Sequence, residues 1–365
     1  MHLGIPALLN FYKEHRTDDS LVLVTIIATE GSTYRKPGAM MLISRDGCFE
    51  GMISGGCLEG DLLHHAAEVF EQGDARHLTY DMHSGDDVVW SLGLGCDGII
   101  HLLLQRLDSE DGFGFLQELE KSFDDRRAGL FALATRDTDG LPAGSLAFID
   151  NDDRACGNSS LVGLLRLTAN DWPEWRCRTT GLAKDGDADG GAENVLLVHM
   201  PAQTRVLICG AGPDAVPVAR ALGGLDWDIR IVDHRSAFAR QDRFPPRCRV
   251  SQVRPGQLAE TVNLEQLDAA VIMSHHLEND AEYLSQLAAF EIPYIGVLGP
   301  AARRGKLSEM SGYPEQRLHG PVGLDIGAEL PEAIALSIAA EVHAVLNGRD
   351  GRSLTLRMPA AGQVC

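Results

Sequence analysis

The segment RVLICGAGPDAVPVARALGGLDWDIRIVD, residues 205–233, constrains this chain more than any other. An apolar run (205–210) leads directly into a glycine-rich turn and a stretch of helical periodicity (213–223), and a β-branched run (228–233) follows. Strand, tight turn, helix and strand in so short a span make up the mononucleotide-binding half of a Rossmann-type parallel sheet. Gly210, Gly212 and Ala215 form GxGxxA at the turn, and Asp233 closes the second strand 23 residues after Gly210. Such glycines let backbone amides approach a pyrophosphate at a helix N-terminus, and the acid suits a ribose hydroxyl. The glycines alone would be a weak signal; strand, helix and acid together define the fold. Occupancy is a separate matter, because Pro213 removes one amide donor from the loop, against ordinary dinucleotide geometry.

The alternation continues. DAAVIMS (268–274) and IPYIGVLG (292–299) read as strands with helical EYLSQLAAF (282–290) between them, and LPEAIALSIAAEVHAVLNG (330–348) is a helix with Pro at its start and Gly at its end. Residues 201–350 are thus expected to form a Rossmann-type domain behind a boundary at Pro201, with 351–365 as a tail. GPAARRGKL (299–307) imitates a P-loop but has one residue too many before Gly-Lys and Leu307 in place of the magnesium-binding Ser or Thr. Its Arg303, Arg304 and Lys306 form either a phosphate clamp or a solvated basic turn.

The first half also reads as α/β. Leu3, Ile5, Leu8, Leu9 and Tyr12 have helical spacing; LVLVTIIAT (21–29) is a buried strand; AMMLIS (39–44) and CFEGMIS (48–54) flank a turn as a hairpin. A helix with Leu62, Leu63, Ala66, Val69 and Phe70 on one face follows, then a strand at 97–107. Residues 1–108 are taken as one domain and 109–200 as its strand-rich continuation. Residues 130–157 echo the order strand, polar Gly loop, strand, acidic turn without the GGC loop; this is a degenerate repeat or two hairpins alike by chance. AKDGDADGGAEN (183–194) is a flexible tip or linker, and VLLVHM (195–200) a closing strand.

Thirty-two basic against 52 acidic residues, a net charge of −20, leave no basic face for nucleic acid or anionic lipid. The N-terminus lacks the basic and apolar regions of a signal peptide, the apolar runs are too short to span a membrane, and the eight cysteines form no CxxC. A cytoplasmic protein with reduced thiols is expected. An acidic chain with this apolar fraction also makes a homodimer plausible, although no motif demonstrates one.

Two glycine-rich turns carry thiols. ISGGCLEGD (53–61) places Cys57 where a strand passes into a helix, and SLGLGCDG (91–98) carries Cys96. A thiol at a helix N-terminus ionises more readily, and successive amides there can cradle an anion; the plainer alternative is that both cysteines pack tight turns. EGSTYRKPGAMM (30–41) adds Ser32, Thr33 and Arg35, hydroxyls and a guanidinium suited to phosphate or pterin, or else a capped surface turn. His64 and Glu68, four apart, have the spacing of paired metal ligands but no third partner, which favours a solvated helix face. His275 and His276 at a strand end are the acid–base candidates for a nicotinamide oxidoreductase, and serve equally as structural residues.

EGSTYRKPGAMMLI (30–43), GMISGGCLEGDL (51–62) and GLGCDG (93–98), taken with CGAGPDAVPVARAL (209–222), VDHR (232–235), IMSHHLENDAEYL (272–284), YIGVLGPAARRGKL (294–307) and GPVGLDIGAELPEAIALSIAAEV (320–342), resemble the XdhC/CoxI family in order and spacing. The likeness covers most of the chain except about 108–200. It implies an N-terminal XdhC/CoxI-type α/β domain, a C-terminal Rossmann domain, and an accessory protein of molybdenum hydroxylases such as xanthine dehydrogenase. Such a protein would bind the molybdenum cofactor, as molybdopterin or its dinucleotide form, protect its sulfido form and pass it to the apoenzyme, with a cysteine desulfurase supplying sulfur. The family pattern carries over to Arg35, Pro37 and Gly38; to Gly55, Gly56, Cys57 and Glu59; to Gly95 and Cys96; to His275 and Asp280; and to Asp325 and Glu329. Asp97 stands where many members have Gly, setting an acid beside Cys96, and Pro213 and Asp214 mark a GAGPDA variant of the Rossmann loop. On this reading Cys57 and Cys96 are candidate molybdenum contacts, and the Gly210–Gly212 loop with Asp233 would hold a phosphate or dinucleotide tail. The alternative is an NAD(P)-dependent oxidoreductase, supported by the Rossmann loop alone.

Overall fold

The computed structural model describes residues 4–56, 58–82, 98–108, 113–138, 140–169, 177–181 and 194–356. The chain divides between Ala202 and Gln203 into two compact units.

The first unit holds one arrangement twice. Helix α1 (Ile5–His15), strands β1 (Ser20–Gly31), β2 (Met40–Ile43) and β3 (Phe49–Gly51), helix α2 (Glu59–Gln72), and strands β4 (Arg76–Asp81) and β5 (Gly98–Asp108) make up the first copy. Helix α3 (Phe113–Asp124), strands β6 (Gly129–Ala134), β7 (Leu146–Asp150) and β8 (Ala155–Gly157), helix α4 (Ser159–Thr168), and strands β9 (Cys177–Thr180) and β10 (Val195–Met200) repeat it. The sheet orders, β3-β2-β1-β5-β4 and β8-β7-β6-β10-β9, are the same order under that correspondence.

The match extends to single hydrogen bonds. Gly38 N donates to Ile26 O at 2.8 Å, and Gly144 N to Ala134 O at 2.9 Å. The turn closed by Ser44 N donating to Cys48 O recurs as Asp150 N donating to Arg154 O. Gly51 and Gly157 are equivalent and both need glycine: at φ 107° and 95°, a Cβ would lie 2.5 Å from Met40 O and 2.3 Å from Leu146 O. Packing between the copies is reciprocal, Gly38 resting on Val198 of β10 and Gly144 on Gln105 of β5, the pattern a pseudo-twofold axis produces. The echo at 130–157 is therefore a whole-unit duplication rather than two hairpins alike by chance.

One core joins the copies. Leu21, Leu23 and Leu103 of the first sheet pack with Phe131, Leu133, Leu196 and Val198 of the second and with apolar faces of α1 and α3. Each fully buried side chain of this kind contributes about 1.5–3 kcal/mol. The outer faces are covered by α2, through Leu62 and Ala66 on Val24 and Ile26, and by α4, through Leu161 and Leu165 on Leu130 and Ala132. Residues 1–108 and 109–200 thus share a hydrophobic centre. The periodic signals found α1, β1, the β2–β3 hairpin, α2 and β5; β4, with alternating exposure, and helices α3 and α4 went unassigned.

The second unit is a six-stranded parallel sheet in the order β13-β12-β11-β14-β15-β16. Its strands are β11 (Arg205–Cys209), β12 (Asp228–Asp233), β13 (Arg249–Gln252), β14 (Ala269–Ile272), β15 (Tyr294–Val297) and β16 (Leu318–His319). This is the doubly wound Rossmann order, with its crevice between the carboxyl ends of β11 and β14. Helix α5 (Ala215–Gly223) follows β11, α6 (Leu258–Thr261) precedes β14, α7 (Leu277–Leu287) follows it, α8 (Ala301–Ser311) follows β15, and α9 (Pro331–Leu346) closes the unit. Strands buried on both faces read as continuous apolar runs, which is why β11, β14 and β15 were legible, while β12 showed itself by β-branched Ile229, Ile231 and Val232. β13 is the half-exposed, polar RVSQ, and β16 has only two residues, so neither reads that way. The basic motif at 299–307 is the start of α8, not a turn. Among the described residues no helix is long and apolar enough to cross a membrane.

Candidate functional site

Strand directions gather the first unit's motifs at one end of its first sheet. β1 runs out at Gly31, opposite Gly98 where β5 begins, and β4 ends at Asp81, opposite Ile99. β3 ends at Gly51 pointing the same way, and α2 starts from there. The loops after β1 and β3 and the start of β5 therefore lie at one end.

Gly98 is the tightest point. A Cβ there would lie 2.5 Å from Glu30 O and 2.8 Å from Ser32 O, so only glycine lets the end of the GLGCDG motif press on the EGSTYR loop. In that loop Ser32 and Tyr34 are exposed, and the Thr33 hydroxyl donates to Arg35 O at 2.9 Å. Arg35 Nε is buried without a hydrogen-bond partner among the described residues. A guanidinium donor shut from water and unmatched is costly, about 1–3 kcal/mol, unless an acceptor arrives. Gly38, by contrast, faces the second copy through Val198, so its part is to let the loop lie close to that sheet.

The loop after β3 is braced by Glu59. Its carboxylate accepts Ser54 N at 3.0 Å, Ser54 Oγ at 2.6 Å and Leu58 N at 3.1 Å. Burial acts to raise the Glu59 pKa, but the hydrogen bonds from Ser54 and from the backbone outweigh it, and the carboxyl lies below its ordinary value. Gly55 and Gly56 stand exposed between these anchors, Gly56 at φ 105°. Glu59, expected among the ligand contacts, has its oxygens committed inside the loop. Cys57, Gly95 and Cys96 lie outside the described residues. Sequence reading missed a neighbouring trio: His101 Nε2 lies 3.2 Å from Glu30 Oε1, and His101 Nδ1 lies 3.0 Å from Thr79 Oγ1. The signal was a polar His interrupting the apolar run IIHLLL of β5.

At the Rossmann crevice the residues meet differently from expectation. Asp233 is 1% exposed and its carboxylate is occupied: Oδ2 accepts Ala211 N at 2.7 Å and Arg235 Nη2 at 2.7 Å, while Oδ1 accepts Arg235 N and Nε. Burial raises its pKa, but the Arg235 guanidinium and the backbone amides prevail and hold it low. Arg243 Nη1 donates to Ala211 O at 2.7 Å, so both polar groups of Ala211 are tied down. The acid expected to take a ribose hydroxyl instead fastens the glycine loop, and the loop loses an amide a diphosphate would use.

Gly210, at φ 118°, presses on the end of β14, where a Cβ would lie 2.6 Å from the Met273 carbonyl. That contact brings Asp214 to His275, with Nε2 and Oδ2 2.7 Å apart. Asp280 is buried, accepts Ser274 N at 3.1 Å and Oγ at 2.5 Å, and pairs with Arg303 Nη2 at 2.7 Å. Arg304 pairs with Glu315 at 3.1 Å. Asp280 and Arg303 thus brace β14 against α8, and the two arginines already have carboxylate partners. Glu68, whose spacing from His64 matches paired metal ligands but favours, without a third partner, a solvated helix face, is bridged to Arg76. Asp325 and Glu329 are exposed in the segment before α9.

These two units, a duplicated α/β unit with a glycine-loop end and a Rossmann sheet, define a class that comparison resolves further. A family model described as the XdhC Rossmann domain matches residues 206–342, and one described as the XdhC and CoxI family matches residues 15–81. A Bacillus subtilis (strain 168) protein described as a probable xanthine dehydrogenase subunit is 31% identical over 350 residues, covering 93% of this chain and 96% of that one. The molybdenum cofactor insertion chaperone PaoD of Escherichia coli (strain K12) is 24% identical over 331 residues, covering 89% and 83%. A crystal structure described as a xanthine dehydrogenase from Bacillus halodurans superposes with a TM-score of 0.78 at 29% identity, covering 96% of this chain and 97% of that one. The chain belongs to the XdhC and CoxI family.

Proposed function

We propose that this chain is an accessory protein that binds the molybdenum cofactor as cargo, shields its sulfurated form and delivers it to an apo molybdenum hydroxylase of the xanthine dehydrogenase type. The names of its relatives, one a cofactor insertion chaperone and the other a probable xanthine dehydrogenase subunit, support a role connected with that cofactor. The observation that carries the reading to particular residues is the Arg35 Nε at the glycine-loop end of the first sheet, buried and without a partner among the described residues.

The residues there suit a large anionic ligand. Arg35 offers a guanidinium to a phosphate or to an oxo group on the metal. Among the described residues, no atom lies within 4 Å of where a Cβ on Gly55 or Gly56 would stand, which suits a backbone open to a ligand. Exposed Tyr34 and Met52 supply apolar surface at the same end. Cys57 and Cys96, one residue past Gly56 and two before Gly98, bring soft donors to a group containing molybdenum and sulfur. When bound, the cofactor supplies the redox-active Mo=S group; the protein's part is to orient it and exclude water, reversibly enough to hand it on. A cysteine desulfurase would provide the sulfur.

The test is retention of molybdopterin through purification from a host that makes it. Cys57→Ala and Arg35→Gln should each lower the pterin retained relative to the unaltered chain. Unchanged retention in both would overturn the placement at this end.

A further inference from the structure

We infer that the Rossmann crevice is a binding site for the 2-amino-4-oxopyrimidine edge of a pterin or guanine ring, read by Asp214, and is not a site for a dinucleotide diphosphate. In naming pterin ahead of guanine, the inference rests on the cofactor-carrier reading; its geometry stands apart from it.

The diphosphate features of this loop have been withdrawn one by one. The Ala211 amide is given to Asp233, residue 213 is a proline without an N–H, and Asp214 carries a carboxylate to the start of α5. Asp214 Oδ1 lies 2.6 Å from where a Gly212 Cβ would be, so glycine at 212 makes room for an acid rather than for a phosphate. A carboxylate at this point repels an anion at short range.

A donor-bearing ligand is what remains. Asp214 follows β11 and His275 follows β14, so their pair stands at the switch point where open parallel sheets take ligands. The His275 side chain is 60% exposed, and the residue is held at φ 63°, a conformation with a cost for a residue bearing a Cβ. Exposed ion pairs contribute little stability, so the pair does not repay that cost by holding the fold. It does fix the carboxylate. Each carboxylate oxygen accepts more than one donor, so the bond to His275 leaves both oxygens capacity for a ligand. An N–H beside an NH2, as on a pterin or guanine, matches two carboxylate oxygens as a charge-assisted bidentate pair. Among the described residues no group of three metal-binding side chains occurs, which leaves the Asp214–His275 pair short of a metal site. Asp214 is therefore the recognition residue and His275 the positioning residue.

The experiment titrates the full chain with neopterin, guanosine, lumazine, NADH and pyrophosphate, by calorimetry. Lumazine has a carbonyl in place of the 2-amino group, so it presents an acceptor to Asp214. Neopterin should bind about tenfold or more tightly than lumazine, because a site built for a donor rejects the analogue lacking it. Asp214→Asn, close in size, should abolish that preference at an unchanged thermal midpoint, and His275→Gln should reduce it. Neopterin tighter than guanosine identifies the pterin source, and the reverse identifies guanine. Absence of neopterin and guanosine binding, equal binding of neopterin and lumazine, tighter binding of NADH or pyrophosphate, or an Asp214→Asn chain that discriminates as before would each overturn the inference. Molybdopterin retention by the Asp214→Asn chain separates the two readings: loss of crevice selectivity with cofactor retained leaves the carrier standing, and an unaltered chain that retains no cofactor defeats the carrier alone.

Discussion

Glu59 accepts the Ser54 hydroxyl at 2.6 Å, closing the Gly55–Gly56 loop from beneath. Glu59→Ala takes the carboxylate acceptor from the Ser54 amide and hydroxyl and leaves the Leu58 amide only its 3.0 Å bond to Ser54 Oγ, and Glu59→Gln sets an amide N–H2 against one of those donors. Either should destabilise the first unit by about 2–3 kcal/mol, read as a lower denaturant midpoint. Cofactor retention should fall with it, because the loop loses its brace.

Acid sensitivity follows from the same groups. Glu59 and Asp233 both have pKa values below the ordinary carboxylate range in the folded chain, through hydrogen bonds and, for Asp233, the Arg235 guanidinium. Groups with depressed folded values stabilise fully above the unfolded carboxylate pKa, and that contribution disappears as pH falls through the folded values. Thermal midpoints should be level from neutral pH down to about pH 5 and decline below it. Asp233→Asn should lower the neutral midpoint and flatten the acid decline.

Equivalence of the two copies can be tested with glycines. Gly51→Ala and Gly157→Ala each force a Cβ against a backbone carbonyl at positive φ. Both should cost about 2–4 kcal/mol in chemical denaturation, by comparable amounts. A harmless substitution at one site and a damaging one at the other would contradict the duplication.

Thiol chemistry separates ligand candidates from core cysteines. Burial pushes Cys177 up to about 12, Cys156 and Cys248 up to about 11, and Cys209 well above its ordinary value, while Asp46 raises Cys48. None of these five should react quickly with iodoacetamide at neutral pH. Fast labelling, located by peptide mass spectrometry, should fall among the remaining three thiols, Cys57, Cys96 and Cys365, and Cys57→Ala should remove part of it. Cys177 or Cys209 reacting first would be the contrary result.

Much of the Rossmann unit was legible because buried parallel strands are unbroken apolar runs and α9 carries Pro at its start and Gly at its end. The same sequence concealed how the crevice is used. GxGxxA followed by an acid promises a dinucleotide, but Asp233 turns inward because Arg235, two residues on, neutralises it, and only the fold shows Ala211 and His275 within reach of Asp233 and Asp214. In the first unit the glycine-rich motifs were visible one by one, while their convergence depended on strand register, Gly31 opposite Gly98. The duplication was half visible: the turn glycines and acidic turn recur, but α4 follows β8 after Asn158 alone, where α2 follows β3 after a loop of seven residues.

That missing loop sharpens the central claim, because one copy only retains the glycine–cysteine turn and one cofactor per chain is implied. The direct measurement is molybdenum by plasma mass spectrometry, together with pterin by fluorescence after oxidation, on the unaltered chain purified from a molybdopterin-making host. The expected result is one molybdenum per chain, accompanied by pterin, with the molybdenum lowered by Arg35→Gln. A chain that emerges free of both, from cells whose molybdopterin synthesis is intact, would contradict the account.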